Sequence, residues 1–182
     1  MIVVEGPDGS GKTTLINQLI AGTGLPVAPR VVSKDAEAMT DLVKWTEDNV
    51  KQGWQPTIFD RHRLFSEPIY GPILRPKLAK GFDDIDWFES MLRQFYACNP
   101  IVIYCLPPLE QVWKNVQYDP DNRVVASQEV TTRIWGAYFN KATTEYTLRS
   151  RTWLYDYTWD NSQFLVQTMI ASIKLVVKKE GF

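Results

Sequence analysis

Cysteine is scarce in this sequence, which has only Cys98 and Cys105 among its 182 residues. Cys98 falls in a helical pattern and Cys105 in an apolar, strand-like run, so the pair predicts neither a disulfide framework nor a metal cage. No run approaches the ~20 consecutive apolar residues of a membrane span. Glu5 and Gly6 interrupt the apolar start before it reaches the roughly 7–15 residues of an export signal. We therefore expect a cytoplasmic protein with no membrane partner.

An excess of either charge is also absent. The chain has 20 Lys and Arg residues against 21 Asp and Glu residues, for a formal net charge of −1. Such a balance does not attract a polyanion over long range, so nucleic acid becomes a less expected partner without being excluded. The length of 182 residues suits one domain, because single cores commonly organise ~100–200 residues. We expect residues 1–182 to form that single domain.

Short apolar runs alternate with helical periodicity along the chain. The predicted strands are residues 2–5, 57–59, 101–106 and 153–157, with residues 27–32 as a weaker candidate. Apolar side chains at helical spacing predict helices that include residues 39–50, 85–95, 109–116, 130–138 and 165–176. This alternation is typical of crossover units. It predicts a three-layer α/β fold with a central parallel sheet of about five strands flanked by helices.

The segment from Gly6 to Thr13 carries the clearest motif. It reads Gly-Pro-Asp-Gly-Ser-Gly-Lys-Thr, fits G-x-x-x-x-G-K-[ST], and lies between a predicted strand and a predicted helix. Glycines in this pattern let backbone N–H groups converge on phosphate oxygens at a helix N-terminus. Lys12 adds a mobile positive charge, and the Thr13 hydroxyl can join a Mg²⁺ shell. The motif predicts a P-loop phosphotransferase that uses ATP and Mg²⁺.

Motifs of other nucleotide-hydrolysing classes are missing from the sequence. Asn140-Lys141 is followed by Ala142-Thr143, so the guanine-reading N-K-x-D pattern does not occur. No L-S-G-G-Q stretch occurs either. A GTPase switch or a transporter ATPase is therefore not indicated.

Two segments resemble thymidylate kinases and the related deoxynucleoside kinases, a family with phage members. The first, residues 5–14, is close to E-G-x-[DE]-G-x-G-K-[ST]-T. The second has Asp60-Arg61-His62 followed by Ser66 and Tyr70, and it resembles D-R-[HY] followed by S-x-x-x-Y. These motifs cover a small part of the chain, whereas the alternation of strands and helices is consistent with the family over nearly its whole length.

The resemblance implies a nucleoside monophosphate kinase-like fold and transfer from ATP·Mg²⁺ to a deoxynucleoside monophosphate. It implies catalytic roles for Lys12, Asp60 and Arg61, with Thr13 and Asp60 holding the metal. Residue chemistry agrees, because a guanidinium fork suits phosphate and a carboxylate can hold a metal-bound water or accept a hydroxyl proton. The implied donor-binding residues are Gly6, Asp8, Gly9, Ser10, Gly11, Lys12, Thr13 and Thr14.

The acceptor side departs from the family pattern at two points. The usual R-E-P-G-G is replaced by Arg30-Val31-Val32-Ser33, and Gly71 stands where thymidylate kinases often carry a glutamine. We expect an acceptor-side loop over residues 61–83. The candidate substrate-binding residues are Arg30, His62, Ser66, Tyr70, Arg75 and Gln94.

A lid is predicted over residues 118–127, where related kinases carry an arginine. Residues 71–83 and 118–126 are rich in Pro, Gly or Asp, and loops of that length are usually functional or disordered. Arg123 is the only basic residue of the lid segment and a further catalytic candidate, with Arg133 as its alternative. A lid arginine would neutralise charge on the phosphoryl group in transit.

Three functions are compatible with the sequence. The first is a deoxynucleoside monophosphate kinase. The second is a kinase acting on a hydroxyl, either of a free deoxynucleoside or of a hydroxymethylated pyrimidine such as hydroxymethyluracil in phage DNA. Cationic residues after the strand candidate 57–59 could bind one acceptor phosphate or a DNA backbone. The third is a non-catalytic nucleotide-binding module. A homodimer is open in each case. The cationic residues are Arg61, Arg63, Arg75, Lys77 and Lys80.

Overall fold

A computed structural model describes residues 1–28, 36–51, 56–76, 85–118 and 127–179, with the backbone alone for residues 36–43. Four strands form one sheet in the order β2-β1-β3-β4, and every neighbouring pair is parallel. The strands are β1 (Ile2–Glu5), β2 (Ile58–Asp60), β3 (Ile101–Cys105) and β4 (Thr152–Tyr155).

Seven helices accompany the sheet within the described ranges. They are α1 (Lys12–Thr23), α2 (Ala36–Lys51), α3 (Arg63–Leu74), α4 (Ile85–Ala97), α5 (Leu109–Gln117), α6 (Gln128–Leu148) and α7 (Ser162–Lys179). None of them combines the length and apolar character that crossing a bilayer requires.

The two faces of the sheet pack against different helices. Successive strand side chains point to opposite faces, so Ile2 and Val4 join a core with α1 and α7. Val3 instead joins a core formed with helices α2 to α6. Helices on both faces produce three layers, and this explains why the strands read as continuous apolar runs instead of alternating ones. The predicted fold class is confirmed.

The sheet has four strands where the sequence predicted about five. Val27 makes an isolated parallel bridge with Ile58, and the Ala28 amide donates to the Ile58 carbonyl at 2.8 Å. The weaker strand candidate thus begins to pair with β2. Its remaining residues, 29–32, lie outside the described residues.

Helix α3 replaces much of the predicted acceptor-side loop. Residues 61–83 were expected to be a loop, yet Arg63–Leu74 is helical despite the internal Pro68 and Pro72. An interior proline costs about 3 kcal/mol. Burial offsets that cost, because a fully buried large apolar side chain contributes roughly 1.5–3 kcal/mol. The apolar side chains of α3 that are buried include Leu64, Phe65, Ile69 and Tyr70.

Candidate phosphoryl-transfer site

The P-loop lies where β1 ends and α1 begins. Gly6 has φ +142°, and a Cβ atom at this position would lie 2.4 Å from the Cys105 carbonyl oxygen of β3. Any side chain here would therefore collide with the sheet. Gly11 has φ +84° and caps α1, which directs the N-terminus of that helix toward the loop. The chain thus builds an anion-binding geometry from backbone atoms.

Two donors of the loop converge on one carbonyl oxygen. The Lys12 ammonium donates to the Pro7 carbonyl at 2.5 Å, and the Ser10 amide donates to the same oxygen at 3.4 Å. Burial, together with the positive charge of Arg61, lowers the pKa of Lys12 to about 8. The Ser10 hydroxyl is buried and has no hydrogen-bond partner among the described residues. These groups are able to donate to phosphate oxygens.

Arg61 lies beside the P-loop in a strained backbone conformation. Its φ is +66°, a value that favours glycine, and its amide donates to the Val4 carbonyl at 2.9 Å. The guanidinium donates to Asp8 at 2.6 Å and to the Tyr70 hydroxyl at 2.8 Å, and it lies 4.7 Å from the centre of the Tyr70 ring. The structure therefore brings Asp8, Arg61 and Tyr70, all predicted site residues, into one cluster.

The Asp8 carboxylate is held in its ionised form. Burial alone would raise its pKa, but the positive charges of Arg61 and Lys12 outweigh that effect and lower the pKa below its ordinary value. The Tyr70 hydroxyl also donates to Asp8 at 3.1 Å. Asp8 of the P-loop thus neutralises Arg61, which follows β2.

Asp60 has a carboxylate oxygen without a hydrogen-bond partner among the described residues. It ends β2 and pairs in register with Val4 of β1, so it reaches the carboxyl edge of the sheet next to the P-loop. Its Oδ1 atom is buried and has no hydrogen-bond partner in the part of the chain that the structure describes. Its negative charge acts on the nearby Lys12, whose charged form it favours.

The residues present fit a magnesium ion held mainly by phosphate. Thr13 is exposed in the first turn of α1, and Asp60 has an unpartnered oxygen. Mg²⁺ typically takes one or two protein oxygens together with phosphate oxygens and waters, so an all-protein cage is not required. No group of three or more His, Cys, Asp or Glu residues that could hold a metal occurs among the described residues.

Glu5 is a buried carboxylate that begins the motif of residues 5–14 but was not among the predicted site residues. One oxygen accepts the His62 amide at 2.6 Å, and the other accepts the Tyr138 hydroxyl at 3.0 Å. Burial raises its pKa to about 7, although these hydrogen bonds and Arg61 oppose the increase. Glu5 therefore connects β1, the turn after β2, and α6. A charged residue ending an otherwise apolar strand is the signal that could have revealed this role.

Three predicted substrate-binding residues have other contacts. His62 caps α3 by accepting the Leu64 amide at 3.3 Å, its ring is fully buried, and its pKa is lowered by burial to about 3. The Ser66 hydroxyl is buried and donates within α3 to the His62 carbonyl at 3.4 Å. Gln94 is exposed on α4 and donates to Ser90 at 3.4 Å. These side chains do not join the Arg61 cluster. His62 caps a helix, Ser66 bonds within that helix, and Gln94 is exposed to solvent.

The predicted cationic patch is partly offset by a carboxylate where the structure describes it. Arg75 donates to Glu67, and Arg63 lies 3.8 Å from the same carboxylate. Glu67 is buried, with 3% of its side chain exposed. Glu67 was not predicted from the sequence, because it contacts both arginines only when residues 63–74 are helical. The other candidates Arg30, Lys77, Lys80 and Arg123 lie outside the described residues, and Arg133 is exposed on α6.

No family model and no curated protein matches this sequence. Among solved structures, a deoxyadenosine kinase from M. mycoides with bound dCTP has a TM-score of 0.59 and 15% identity, covering 98% of this chain and 100% of that one. The same kinase with bound dATP has a TM-score of 0.58 and 17% identity, covering 97% and 98%. YorR from Bacillus subtilis, in complex with phosphorylated GDP, has a TM-score of 0.56 and 18% identity, covering 98% and 96%.

These likenesses span nearly the whole chain and establish its fold. Together with the P-loop between β1 and α1, they define the chain as an α/β protein with the fold of P-loop kinases. Within that class, it shares its architecture with a deoxyadenosine kinase and with YorR. The narrower resemblance to thymidylate kinases, and to the phage members of that family, stays a prediction.

Proposed function

We propose that this protein is an ATP-dependent phosphotransferase that phosphorylates a deoxynucleoside monophosphate. One observation carries the proposal: the unpartnered carboxylate oxygen of Asp60 lies beside a glycine-rich loop whose backbone and lysine are arranged for phosphate. A donor phosphate site and an acidic group at the carboxyl edge of the same sheet are the parts that phosphoryl transfer requires.

The residues of the loop would hold the donor. The Ser10 amide and the Lys12 ammonium, which share the Pro7 carbonyl, would exchange that acceptor for phosphate oxygens. Charge-assisted hydrogen bonds of this kind are stronger than neutral ones, so the exchange is favourable. Bound Mg²⁺ would neutralise charge on the triphosphate, and Thr13 and Asp60 are the residues that would hold it.

Arg61 is the residue that would orient the phosphoryl group and the acceptor phosphate. The Nη2 atom donates to Asp8 and Tyr70, and both Nη2 and Nε donate to the Gly6 carbonyl, so the guanidinium position is fixed. The N–H groups of Nη1 have no hydrogen-bond partner among the described residues and could donate to a phosphate. A preorganised cation is effective because it needs no rearrangement as charge develops. The residues of this chain would therefore contribute by positioning the reacting groups and stabilising their charge.

A free deoxynucleoside is the second candidate acceptor, and the pairing of Glu67 favours it. Glu67 pairs with both Arg63 and Arg75 and offsets one of their two positive charges, so the acceptor side offers less positive charge to a phosphate than the sequence indicated. A hydroxyl acceptor needs a base instead, and the unpartnered Asp60 oxygen has that chemistry. The same pairing weakens the case for DNA, since a DNA backbone would need unpaired cations.

The acceptor is tested by measuring ADP release from ATP·Mg²⁺ with each deoxynucleoside, each deoxynucleoside monophosphate and DNA containing hydroxymethyluracil. We expect the highest kcat/KM with a monophosphate. A higher value with a free deoxynucleoside would select the second candidate. A DNA acceptor would be identified by activity that falls steeply between about 50 and 200 mM salt. ATP binding without ADP release for any acceptor would overturn the proposal and favour a nucleotide-binding module.

A further inference from the structure

Helix α5 contacts the back of the P-loop through one amide side chain. The Asn115 Nδ2 atom donates to the Gly9 carbonyl at 2.7 Å and to the Tyr157 hydroxyl at 2.8 Å. Gln111, one turn earlier on α5, donates to the Asn115 Oδ1 atom at 2.9 Å and so fixes the orientation of the amide. The Asn115 side chain therefore uses both ends of its amide in the described structure.

The contact with Gly9 is close-packed as well as hydrogen-bonded. A Cβ atom at Gly9 would lie 2.9 Å from the Val112 carbonyl oxygen and 3.1 Å from the Cβ atom of Asn115. On the neighbouring side, a Cβ atom at Gly11 would lie 2.8 Å from the Tyr157 ring. The loop thus rests directly on α5 and on the segment after β4, and it has little room to shift toward either.

Anchoring the Gly9 carbonyl also sets the direction of the next amide. In a planar trans peptide the carbonyl and the following N–H point to opposite sides. With its oxygen directed at α5, the Gly9–Ser10 peptide directs the Ser10 N–H away from α5. The observed contact agrees, because the Ser10 amide approaches the Pro7 carbonyl, the same atom that accepts the Lys12 ammonium.

We propose that Asn115 is a positioning residue for the triphosphate, acting through the Gly9–Ser10 peptide. The inference rests on the proposed use of ATP and adds a residue of α5 to the donor site. If the peptide turned over, the loop would lose one N–H donor and would present a carbonyl oxygen to an anion. Asn115 opposes that state because its amide donates to the oxygen that would have to move.

The test compares Asn115→Leu with Tyr157→Phe and with the unmodified protein. Leucine has nearly the size of asparagine but cannot donate. Tyr157→Phe removes the other hydrogen bond of the same amide while keeping the Asn115 to Gly9 bond and the ring that packs against Gly11. Calorimetry gives the Kd for ATP·Mg²⁺, and steady-state kinetics give kcat and both KM values.

We expect Asn115→Leu to raise the Kd and the KM for ATP by roughly 10–100-fold, the size of one hydrogen bond to a charged group. The kcat at saturating ATP and the KM for the acceptor should stay within about threefold, because an interaction made equally in the ground and transition states affects binding alone. Tyr157→Phe should stay within about threefold throughout.

The inference would be overturned if Asn115→Leu folds and binds ATP with a Kd within about threefold of that of the unmodified protein. An equal increase in the KM for ATP and the KM for the acceptor would also overturn it. If Asn115→Leu does not fold, Asn115→Asp provides the same comparison, because its carboxylate repels the Gly9 oxygen; normal ATP affinity in that variant would also overturn it. Failure of the proposed function is distinguishable, since the unmodified protein itself would then not bind ATP·Mg²⁺.

Discussion

Three carboxylates lie in or beside the P-loop, and each has a different environment. Asp8 is paired with Arg61 and kept ionised, whereas Glu5 is buried with the His62 amide and the Tyr138 hydroxyl, and its pKa is raised by that burial to about 7. Asp60 alone retains a buried oxygen without a hydrogen-bond partner among the described residues. Their environments separate the three chemically similar groups, and Asp60 is the one suited to contact metal or acceptor.

Replacing Asp60 by asparagine should separate metal support from base catalysis. With a monophosphate acceptor, which is already largely ionised at neutral pH, we expect Asp60→Asn to weaken apparent Mg²⁺ affinity by roughly 10–100-fold, with partial rescue by excess Mg²⁺. The measurement is kcat against Mg²⁺ concentration, with Asp86→Asn at an exposed position of α4 as the matched control. A loss of roughly 10²–10⁴-fold that added Mg²⁺ does not change would contradict metal support and indicate a general base.

The P-loop could be predicted from sequence because its chemistry is local. A run of eight residues contains the glycines, the lysine and the helix start. The contact from Glu5 to His62 could not be predicted from sequence, since it joins residues 57 positions apart. It exists only because β1 and β2 pair in a particular register. For the same reason sequence alone made His62 look like a ligand-binding residue, while the fold uses it to begin a helix.

Helix α3 contains a buried carboxylate that pairs with two arginines. Glu67 lies near its middle, almost fully buried, between Arg63 at the start and Arg75 after the end. Removing one partner of a buried ionic group leaves the others uncompensated. Removing the Glu67 carboxylate should therefore cost more stability than removing an exposed carboxylate that makes similar ion pairs.

We expect Glu67→Gln to lower the free energy of unfolding by about 3 kcal/mol, as measured by urea denaturation. The matched control is Glu89→Gln on α4, which removes an exposed pair with Arg93 at 3.4 Å, where 58% of the Glu89 side chain is accessible. That control should stay within about 0.5 kcal/mol of the unmodified protein. Equal small effects of the two substitutions would show that the Glu67 pairings contribute no more than a surface pair.

Element prediction succeeded where apolar spacing was regular and failed where proline interrupted it. The spacing around residues 85–95 predicted α4, which spans Ile85–Ala97. Residues 63–74 were missed because Pro68 and Pro72 locally disfavour a helix, while the burial that stabilises α3 comes from other elements. Strand ends differ by one or two residues, as at β4, where Asp156 accepts the Thr158 amide at 2.8 Å and begins a turn.

At the scale of the whole molecule, the order of the strands determines which groups meet. Neighbours β2, β1 and β3 run in parallel, so their carboxyl ends bring Asp60, Glu5 and Cys105 to one edge. Two buried groups near this edge make the stability of the fold depend on pH in opposite directions. Glu5 has a raised pKa of about 7 and His62 a lowered one of about 3. The stabilisation associated with Glu5 is lost as pH rises through its pKa, and that associated with His62 is lost as pH falls below its unfolded value.

The contribution of Glu5 can be isolated by comparing Glu5→Gln with the unmodified protein. His62 is present in both, so its effect cancels in the difference. Between pH 4.5 and 7.5 the stability of Glu5→Gln relative to the unmodified protein should rise by up to about 3 kcal/mol, because only the glutamate loses its proton. Denaturant unfolding at four or more pH values measures this difference. A difference that does not change with pH would show that the pKa of Glu5 is not raised by folding.

The most direct measurement is transfer of labelled γ-phosphate from ATP to the best acceptor by the Lys12→Ala variant. Lys12 is the buried cation of the P-loop, so its removal should lower turnover by roughly 10²–10³-fold. Far-ultraviolet circular dichroism should show an intact fold, and Lys174→Ala, at an exposed lysine of α7, should transfer phosphate at the unmodified rate. A folded Lys12→Ala protein that retains full turnover would contradict the assignment of this loop as the phosphate donor site.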